Sequence, residues 1–433
     1  MQQGTSAMAI FGSRGILLAA GLAMVVASGC ACEAPPARAP RGVRPLPVVA
    51  PKMGPEVPRI RVKLGEDAAS FAAAVAGPWH LTNEAGQIAS GDALDWTEVT
   101  VQDGKVLFGS AAPVAGPVEL RSDRDAGVWI RQTVNGSARE RGYRGLLRLA
   151  PTSTGLLRAI NVLPMEAYLA GVVANELLKS WHVEAYKAQA VAARTFAIIQ
   201  RNQKTRYDFD VYDSVLDQVY GGCGTETPKS WEAVRGTWGV VATYRGPSGN
   251  PVLLKTYYSS TCGGETASAA SMFGGQAPAP LAGGVQCTYC GKSPRYTWPP
   301  VTLSKQEIGD ALRRSTAKDL ARLGRVRTVE VAERTSGGRA DQIRITDAAG
   351  QAFILRAGYW RMLMGPSRVP STWFDIGDAA DRIILKNGRG CGHGVGLCQW
   401  GTQYWAEHGK TAEEILRYYY PGVELVKAYE RGK

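Results

Sequence analysis

The first third of the chain alternates apolar and polar residues in short runs. Examples are IRVKLG and TEVTVQDGKVLFG, and Asp-Gly and Asn-Gly pairs punctuate such runs between residues 59 and 142. Alternation with a period of two is typical of strands with one buried face, and these dipeptides favour hairpin turns. Residues 59–142 are therefore predicted to form an N-terminal β region.

The spacing of apolar residues changes to that of helices between residues 163 and 202. The two segments read LPMEAYLAGVVANELLKSW and VEAYKAQAVAARTFAIIQRN, and Pro164 suits a first helical turn. The second segment is rich in alanine, which permits close approach of neighbouring elements. We predict that this helix lies at the centre of the fold.

Strand patterns return between residues 207 and 258, and residues 303–370 have the pattern of a self-contained α/β insertion. The predicted fold class is α+β, with mixed strands around a central Ala-rich helix pair and a substrate groove between lobes. The core would consist of residues 143–302 and 371–425, with the inserted subdomain at 303–370 and a C-terminal tail at 426–433.

The N-terminus has the features of an export signal. Arg14 precedes the apolar run ILLAAGLAMVVASGC, which ends at Cys30 and is short for a membrane span. Residues 1–29 are predicted to be a signal peptide, with Cys30 as a lipidation site, and an ordinary signal peptide cut nearby is the alternative. The Pro- and Ala-rich residues 30–58 are predicted to be a tether. This places the protein in the cell envelope, on the periplasmic face of a bacterial membrane.

The charge balance narrows the choice of partner. The formal net charge is +12 with 20% charged residues, which suits acidic lipids, acidic glycans or nucleic acid. The chain has no basic patch interleaved with aromatic residues and no zinc-finger spacing, so a nucleic-acid partner is not expected.

Glu176 is the first candidate for chemistry. Leu169, Val172, Val173 and Glu176 follow one another at spacings of three and four, which places the carboxyl group on an apolar stripe of its helix. Burial raises the pKa of a carboxyl group and favours the protonated form, as a general acid requires. The alternative is a glutamate at the edge of the stripe, paired with Lys179 or Arg194.

Four aspartates follow in YDFDVYDSVLDQVYGG, at positions 208, 210, 213 and 217. A hydrolysing glycosidase usually needs a second carboxylate, which this run could supply. The alternation of the run instead favours a solvated strand face, and its spacing does not match a calcium loop.

Four cysteines are candidates for a structural site, and they are Cys262, Cys287, Cys290 and Cys398. The C-x-x-C pair at 287 and 290 needs two further ligands to hold zinc. In an exported protein, disulfides among the same residues are an equal alternative.

The stretch GRGCGHGVGLCQWG, residues 388–401, alternates glycine with other residues. If the stretch is extended, one face carries only glycine, and another backbone or a sugar ring can approach closely. It lacks the spacing and the lysine of a phosphate loop. A nucleophile formed by Cys391 or Cys398 with His393 is a weaker hypothesis, because the geometry of neighbours on a strand is unfavourable.

Taken together, several separated blocks resemble the stage II sporulation protein D family (SpoIID/LytB domain). They are NVLPMEAYLAGVVANELLKSW, EAYKAQAVAARTFAI, DSVLDQVYGG, YYSSTCGGET, GRGCGHGVGLCQWG and ILRYYYPG, in that order. The resemblance implies peptidoglycan glycan-strand cleavage by a lytic transglycosylase, with Glu176 as the catalytic residue and no cofactor in catalysis. A non-catalytic enhancer of a cell-wall amidase is the alternative that it implies.

The resemblance also implies a set of substrate-binding residues, which are Gln189, Arg194, Gln218, Tyr220, Ser260, His393, Gly394 and Gln399. For Gln189 and Arg194, helix packing is an equal alternative. The chain departs from the family twice. Leu216 and Asp217 stand where some members carry a zinc-linked Cys/His pair, and Glu176-Leu177-Leu178 replaces the commoner Glu-Met-Pro.

Overall fold

A computed structural model describes residues 50–51, 53–123, 127–134 and 137–431. The predicted signal peptide, Cys30 and most of the predicted tether lie outside the described residues. Within the described residues, eleven strands precede the first helix. Strands β1 to β11 are Arg59–Lys63, Ser70–Val75, Trp79–Asn83, Gly86–Gly91, Leu94–Gln102, Lys105–Phe108, Val118–Ser122, Val128–Val134, Ser137–Tyr143, Leu146–Pro151 and Leu157–Pro164.

Helices dominate the middle and the end of the described chain. Helices α1 to α8 are Met165–Glu176, Val183–Gln203, Pro228–Gly236, Ala269–Phe273, Lys305–Arg313, Ala357–Met364, Gln399–Glu407 and Ala412–Tyr419. The strands between and after them, β12 to β24, are Val211–Tyr212, Val240–Arg245, Pro251–Leu253, Tyr258–Ser259, Thr297–Trp298, Val301–Ser304, Val326–Arg334, Ala340–Asp347, Ala352–Arg356, Trp373–Asp378, Arg382–Arg389, Leu397–Cys398 and Glu424–Lys427.

The N-terminal strands form two sheets. The seven-stranded sheet has the order β12-β1-β11-β10-β7-β3-β4, and the five-stranded sheet has the order β6-β5-β2-β8-β9. Alternate residues of these strands are buried, as Ile60 and Val62 are in β1, and they share one hydrophobic core with α1. Period-two patterning thus produced sheets with one buried face, as expected.

Helix α2 is the central element that the alanine pattern predicted. The His182 side chain accepts a hydrogen bond from the Glu184 backbone N–H at its start, and most of the helix is buried up to Gln200. Because its alanines are small, α2 packs closely against α1, α3, α7, α8 and β13. The α+β fold class is confirmed.

A separate hydrophobic core belongs to the segment around the predicted insertion. Its members run from Trp298 to Leu385, so it includes residues on both sides of 303–370. Strands β16 and β17 pair with β22, which also pairs with β21, and β18, β19 and β20 form a separate sheet. Strand β22 then leads directly into the glycine-alternating stretch. No helix among the described residues has the length and apolar character needed to cross a bilayer.

Candidate active site

Glu176 is the last residue of α1. Every residue of this helix from Met165 to Val173 is buried, so the buried surface includes the predicted stripe of Leu169, Val172 and Val173 and extends around the rest of the helix. The chain leaves the helix in extended conformation at Leu177, which leaves the Glu176 side chain partly exposed. A carboxyl group at this position lies in an apolar surrounding and still has access to a substrate.

Three donors from distant parts of the chain hold the Glu176 carboxyl group. The Val219 backbone N–H donates to Oε1 at 3.0 Å, and the Gln399 side-chain amide donates to Oε2 at 3.1 Å. The Tyr258 hydroxyl, at the start of β15, donates to Oε1 at 3.4 Å. Both carboxyl oxygens are therefore fixed before any substrate binds.

Burial raises the pKa of Glu176, and the hydrogen bonds from Val219, Gln399 and Tyr258 oppose that rise. The position at the C-terminal end of a helix also disfavours a carboxylate, because the carbonyl groups there carry partial negative charge. The net result is a raised pKa, which favours a protonated Glu176 that can act as an acid.

A chain of hydrogen bonds orients the Tyr258 hydroxyl. The Tyr168 hydroxyl donates to the side-chain oxygen of Gln218 at 3.1 Å, and the Gln218 side-chain amide donates to the Tyr258 oxygen at 2.8 Å. Since the Tyr258 oxygen already accepts from Gln218, its own proton is directed at Glu176. Gln218 thus acts on Glu176 through Tyr258.

The Gln399 side chain is also held in place by a neighbouring residue. Its amide nitrogen also lies 3.5 Å from the side-chain oxygen of Gln189, which belongs to α2 and is fully buried. The Nε2 atom of Gln189 has no hydrogen-bond partner within the part of the chain that the structure describes. Gln189 lies behind Gln399, so it positions Gln399 rather than contacting a substrate.

Two family models match the chain. One, described as stage II sporulation protein, matches residues 153–244, and the other, described as a domain of unknown function, matches residues 289–396. An uncharacterized protein of Brachyspira hyodysenteriae is 34% identical over 288 residues, which cover 66% of this chain and 72% of that protein. The chain belongs to the stage II sporulation protein D family.

Relatives with descriptive names agree with this membership. Stage II sporulation protein D of Bacillus subtilis is 26% identical over 72% of this chain and 90% of its own length. A protein of the same organism named amidase enhancer is 29% identical over 59% of this chain, and the aligned part spans 40% of the enhancer. The family resemblance predicted from the separated sequence blocks is confirmed.

Two residues expected from the family resemblance to line a groove lie in the interior instead. Arg194 is fully buried and forms a bidentate ion pair with Glu166, at 2.9 and 2.6 Å. Tyr220 is also buried, and its hydroxyl donates to Asn161 at 3.0 Å. Both side chains have protein partners for their polar groups, so they stabilise the core and do not line a groove.

The glycine-alternating stretch is not extended. The expectation that one of its faces carries only glycine is therefore wrong. Gly390, Gly392, Gly394 and Gly396 all have positive φ angles, between 68° and 100°. At Gly396 a Cβ atom would lie 2.2 Å from the Tyr257 carbonyl oxygen. The missing side chains therefore make room for the protein's own backbone and side chains, and they do not form a bare surface for a sugar.

Among the described residues, His393 and Ser260 form no hydrogen bond with Glu176, but the His393 ring is hydrogen-bonded to the backbone of Tyr258. The Nδ1 atom of His393 accepts a hydrogen bond from the Val395 backbone N–H at 3.0 Å, and its ring packs edge-on against Tyr257 and Phe273. Burial, with nearby Arg361 and Arg339, lowers the pKa of His393 to about 3, so the ring is neutral at physiological pH. Ser260 accepts from the Trp400 backbone N–H through its carbonyl oxygen, and its side chain is only partly buried.

The stretch does not form a thiol–imidazole pair. Cys391 lies near the Arg295 guanidinium, at 3.5 Å from Nη1, whereas the His393 ring is hydrogen-bonded to the backbone of Val395 and Tyr258. Cys398 is buried beside Cys262, Cys287 and Cys290, and the four sulfur atoms all lie within 4.8 Å of one another. The hypothesis of a cysteine nucleophile therefore has no geometric support.

Each of the four aspartates has a partner that explains it. Asp208 and Asp210 form ion pairs with Arg158 and Arg61, at 2.9 and 2.6 Å. Asp213 accepts from the Gly65 backbone N–H at 3.1 Å, and Asp217 pairs with Lys204 at 3.2 Å. This run secures the loop that carries Gln218 and Val219, and its members do not face Glu176 as a second catalytic carboxylate.

Sequence reasoning missed two of the three groups that hold Glu176. Tyr258 lies in the YYSSTCGGET block, from which the sequence analysis predicts Ser260 as a substrate-binding residue. The functional position becomes visible only in the structure, where Tyr258 accepts a hydrogen bond from Gln218 and donates one to Glu176. The Val219 group is a backbone N–H, which no side-chain pattern can indicate.

Proposed function

We propose that this protein cleaves peptidoglycan glycan strands as a lytic transglycosylase, with Glu176 as the catalytic residue. The observation that carries the proposal is a partly exposed carboxyl group of raised pKa, held by three donors at the end of a buried helix. Membership of the stage II sporulation protein D family supports a role at the cell wall. The net positive charge of +12 suits a glycan that bears lactyl and peptide carboxylates.

The reaction needs one carboxyl group in two roles. Protonated Glu176 donates its proton to the oxygen that links N-acetylmuramic acid to N-acetylglucosamine, and the bond from C1 to that oxygen breaks. The resulting carboxylate then removes the proton from the muramic acid C6 hydroxyl, and O6 bonds to C1. A 1,6-anhydro end forms, no water is consumed, and Glu176 is protonated again.

The hydrogen bonds around Glu176 suit this alternation. A carboxyl group with a raised pKa keeps the proton that the first step needs up to a higher pH, and donors at both oxygens stabilise the carboxylate that follows. Tyr258 and Gln399 thus support the second step more than the first.

Exposed apolar side chains flank the site in sequence. Leu178 follows Glu176 by two residues and is 54% exposed, while Val215 and Leu216 precede Val219 and are 75% and 62% exposed. Sugar rings present apolar C–H faces, so these side chains are candidates for contacts along a glycan.

Isotope labelling tests the reaction type. In water enriched in oxygen-18, we expect the products from purified glycan strands to end in 1,6-anhydro-N-acetylmuramic acid without the label, because the C6 hydroxyl is the attacking group. Mass spectrometry of the products makes the measurement. Labelled reducing ends would indicate hydrolysis and would reject the proposal.

The pH dependence of the reaction offers a second prediction. Glu176 must be protonated for the first step, so activity is lost as the pH rises through its raised pKa. The Gln399→Leu variant loses a donor to the carboxylate, so the pKa rises further and the alkaline limb of kcat/KM moves to higher pH. We also expect kcat/KM to fall about tenfold at the optimum, from a charged hydrogen bond worth roughly 1.5 kcal/mol.

A matched control for this profile is Gln351→Leu, at an exposed glutamine next to β20. We expect the alkaline limb of kcat/KM in the control to lie at the same pH as in wild type. An unchanged limb in Gln399→Leu would mean that this hydrogen bond does not tune Glu176.

The similarity to a protein named amidase enhancer favours a second function, in which the chain binds glycan and stimulates a cell-wall amidase. Stimulation of an amidase by the Glu176→Gln variant, with no anhydro product from wild type, would support that function. In either case we propose an exported, lipid-anchored protein of the cell envelope.

A further inference from the structure

Four buried cysteines from distant segments meet at one point. Cys262 follows β15, and Cys398 ends β23. Cys287 immediately precedes the short 3₁₀ helix Thr288–Lys292, and Cys290 lies within it. All four sulfur atoms lie within 4.8 Å of one another. Strands β15 and β23 pair in parallel, which brings Cys262 and Cys398 together.

The sulfur spacing fits a metal better than disulfides. The Cys262 and Cys290 sulfur atoms are 3.7 Å apart. A disulfide needs about 2.05 Å. In a tetrahedral site with zinc–sulfur distances of about 2.3 Å, two sulfur atoms are separated by about 3.8 Å.

Groups around the cluster donate to its sulfur atoms. The Cys262 backbone N–H donates to the Cys398 sulfur at 3.3 Å, and the Tyr419 hydroxyl lies 3.0 Å from the Cys287 sulfur. A Cβ atom at Gly401 would lie 2.5 Å from the Cys287 sulfur. The glycine at 401 is thus required for the cluster to close, and such surrounding donors are typical of metal sites.

Arg339 supplies an independent observation. It is 3% exposed, its Nη2 donates to the Cys262 carbonyl oxygen, and its Nη1 has no hydrogen-bond partner among the described residues. None of the ion pairs of the described residues includes it. Burial lowers the pKa of Arg339, and the negative groups near enough to oppose this are Cys262, Cys398, Glu265 and Cys290, so three of the four belong to the cluster. A buried cation without a carboxylate partner is costly unless another negative charge is nearby.

We propose that Cys262, Cys287, Cys290 and Cys398 bind one zinc ion as four thiolates, with Arg339 offsetting the negative charge of the site. Binding releases the four thiol protons, and a divalent ion with four thiolates carries a net charge of −2. Two disulfides would be neutral and would leave only the Glu265 carboxylate to offset the guanidinium. The charge of Arg339 therefore favours the metal site.

The site also explains a glycine of the glycine-alternating stretch, residues 388–401. A Cβ atom at Gly394 would lie 2.6 Å from the Nη2 of Arg339. Arg339 immediately precedes β19, so this strand positions the guanidinium and the glycine at 394 leaves space for it. Cys398 directly precedes Gln399, so the zinc site fixes the start of α7 one residue from a donor to Glu176.

Metal analysis of the purified full chain tests the site without relying on any enzymatic activity. We expect one zinc per chain after dialysis, and we expect Cys262, Cys287, Cys290 and Cys398 to be alkylated only after denaturation with a chelator. Absence of stoichiometric zinc in chain purified under reducing conditions and supplied with zinc would overturn the proposal. Peptide mapping that found disulfides among these four residues in the exported protein would also overturn it.

Cysteine variants locate the ligands. We expect Cys290→Ser to lose the zinc or to bind it at least tenfold more weakly, whereas Cys391→Ser, at a partly exposed cysteine outside the cluster, retains one zinc per chain. X-ray absorption of the wild-type protein should show four sulfur neighbours, which keeps the proposal testable if Cys290→Ser does not fold. Equal zinc content and affinity in both variants would contradict the ligand set.

Charge variants test the role of Arg339. In competition with a chelator, Arg339→Met is expected to bind zinc about 10- to 100-fold more weakly, the range typical of groups around a metal site. Arg334→Met, which removes a guanidinium from an exposed pair with Asp375, is the control and should bind as wild type does. Equal affinity in both variants would remove Arg339 from the proposal.

Discussion

The Glu176→Gln variant is expected to form 1,6-anhydro ends about 10²- to 10⁴-fold more slowly than wild type, the usual contribution of a positioned acid or base. The amide has nearly the same size, and its oxygen still accepts from the Val219 backbone N–H, so the local fold is retained. It cannot give a proton to the glycosidic oxygen. The initial rate of anhydro product formation from purified glycan strands measures the effect.

The matched control for this variant is Glu232→Gln. Glu232 is an exposed residue of α3, so Glu232→Gln removes one negative charge without changing a group that contacts Glu176. We expect wild-type rates from it. Equal rates in Glu176→Gln and Glu232→Gln would assign the acid to another residue and reject the proposed mechanism.

The Arg194→Met variant is expected to lower the free energy of unfolding by about 3–5 kcal/mol, because it leaves a fully buried carboxylate without its cation. Glu166 would retain only neutral donors, the Gly239 backbone N–H at 3.1 Å and the Tyr429 hydroxyl at 2.7 Å. Chemical denaturation followed by tryptophan fluorescence measures the change.

Arg245→Met provides the comparison for Arg194. Arg245 pairs with Glu424 at 2.9 Å, but its side chain is 62% exposed, and such surface pairs contribute about 0–1 kcal/mol. We expect little change in stability from this control. A stable Arg194→Met variant with impaired glycan binding would instead restore Arg194 to the substrate-binding set.

Local sequence patterns were sufficient to predict the strands and helices and to select Glu176 as a candidate. Strand and helix periods are properties of neighbouring residues, and a carboxyl group that continues an apolar stripe of a helix is visible without any knowledge of the fold. The four cysteines were found in the same way, because their residue type limits their chemistry to metals, disulfides and redox reactions. These inferences needed no knowledge of which segments meet.

The remaining features depend on contacts between distant segments. Tyr258 and Gln399 reach Glu176 across 82 and 223 positions, and no periodicity records such pairings. The stretch around Gly394 alternates as a strand does, yet the sign of φ is set by what packs against each glycine. Arg194 resembled a ligand contact because its buried partner, Glu166, lies 28 positions away on another helix.

The hydroxyl of Tyr429 donates to Glu166 across 263 positions of the chain, whereas Arg194 is only 28 positions from the same carboxylate. Synthesis proceeds at about 5–20 residues per second, so the carboxylate and its cation emerge on the order of 10 to 50 s before that third donor. During this interval Glu166 of α1 lacks its hydrogen bond from Tyr429, and part of the apolar surface of α1 and α2 is not yet covered. A chain built in this order cannot complete this part of its core until nearly all of its residues have been synthesised.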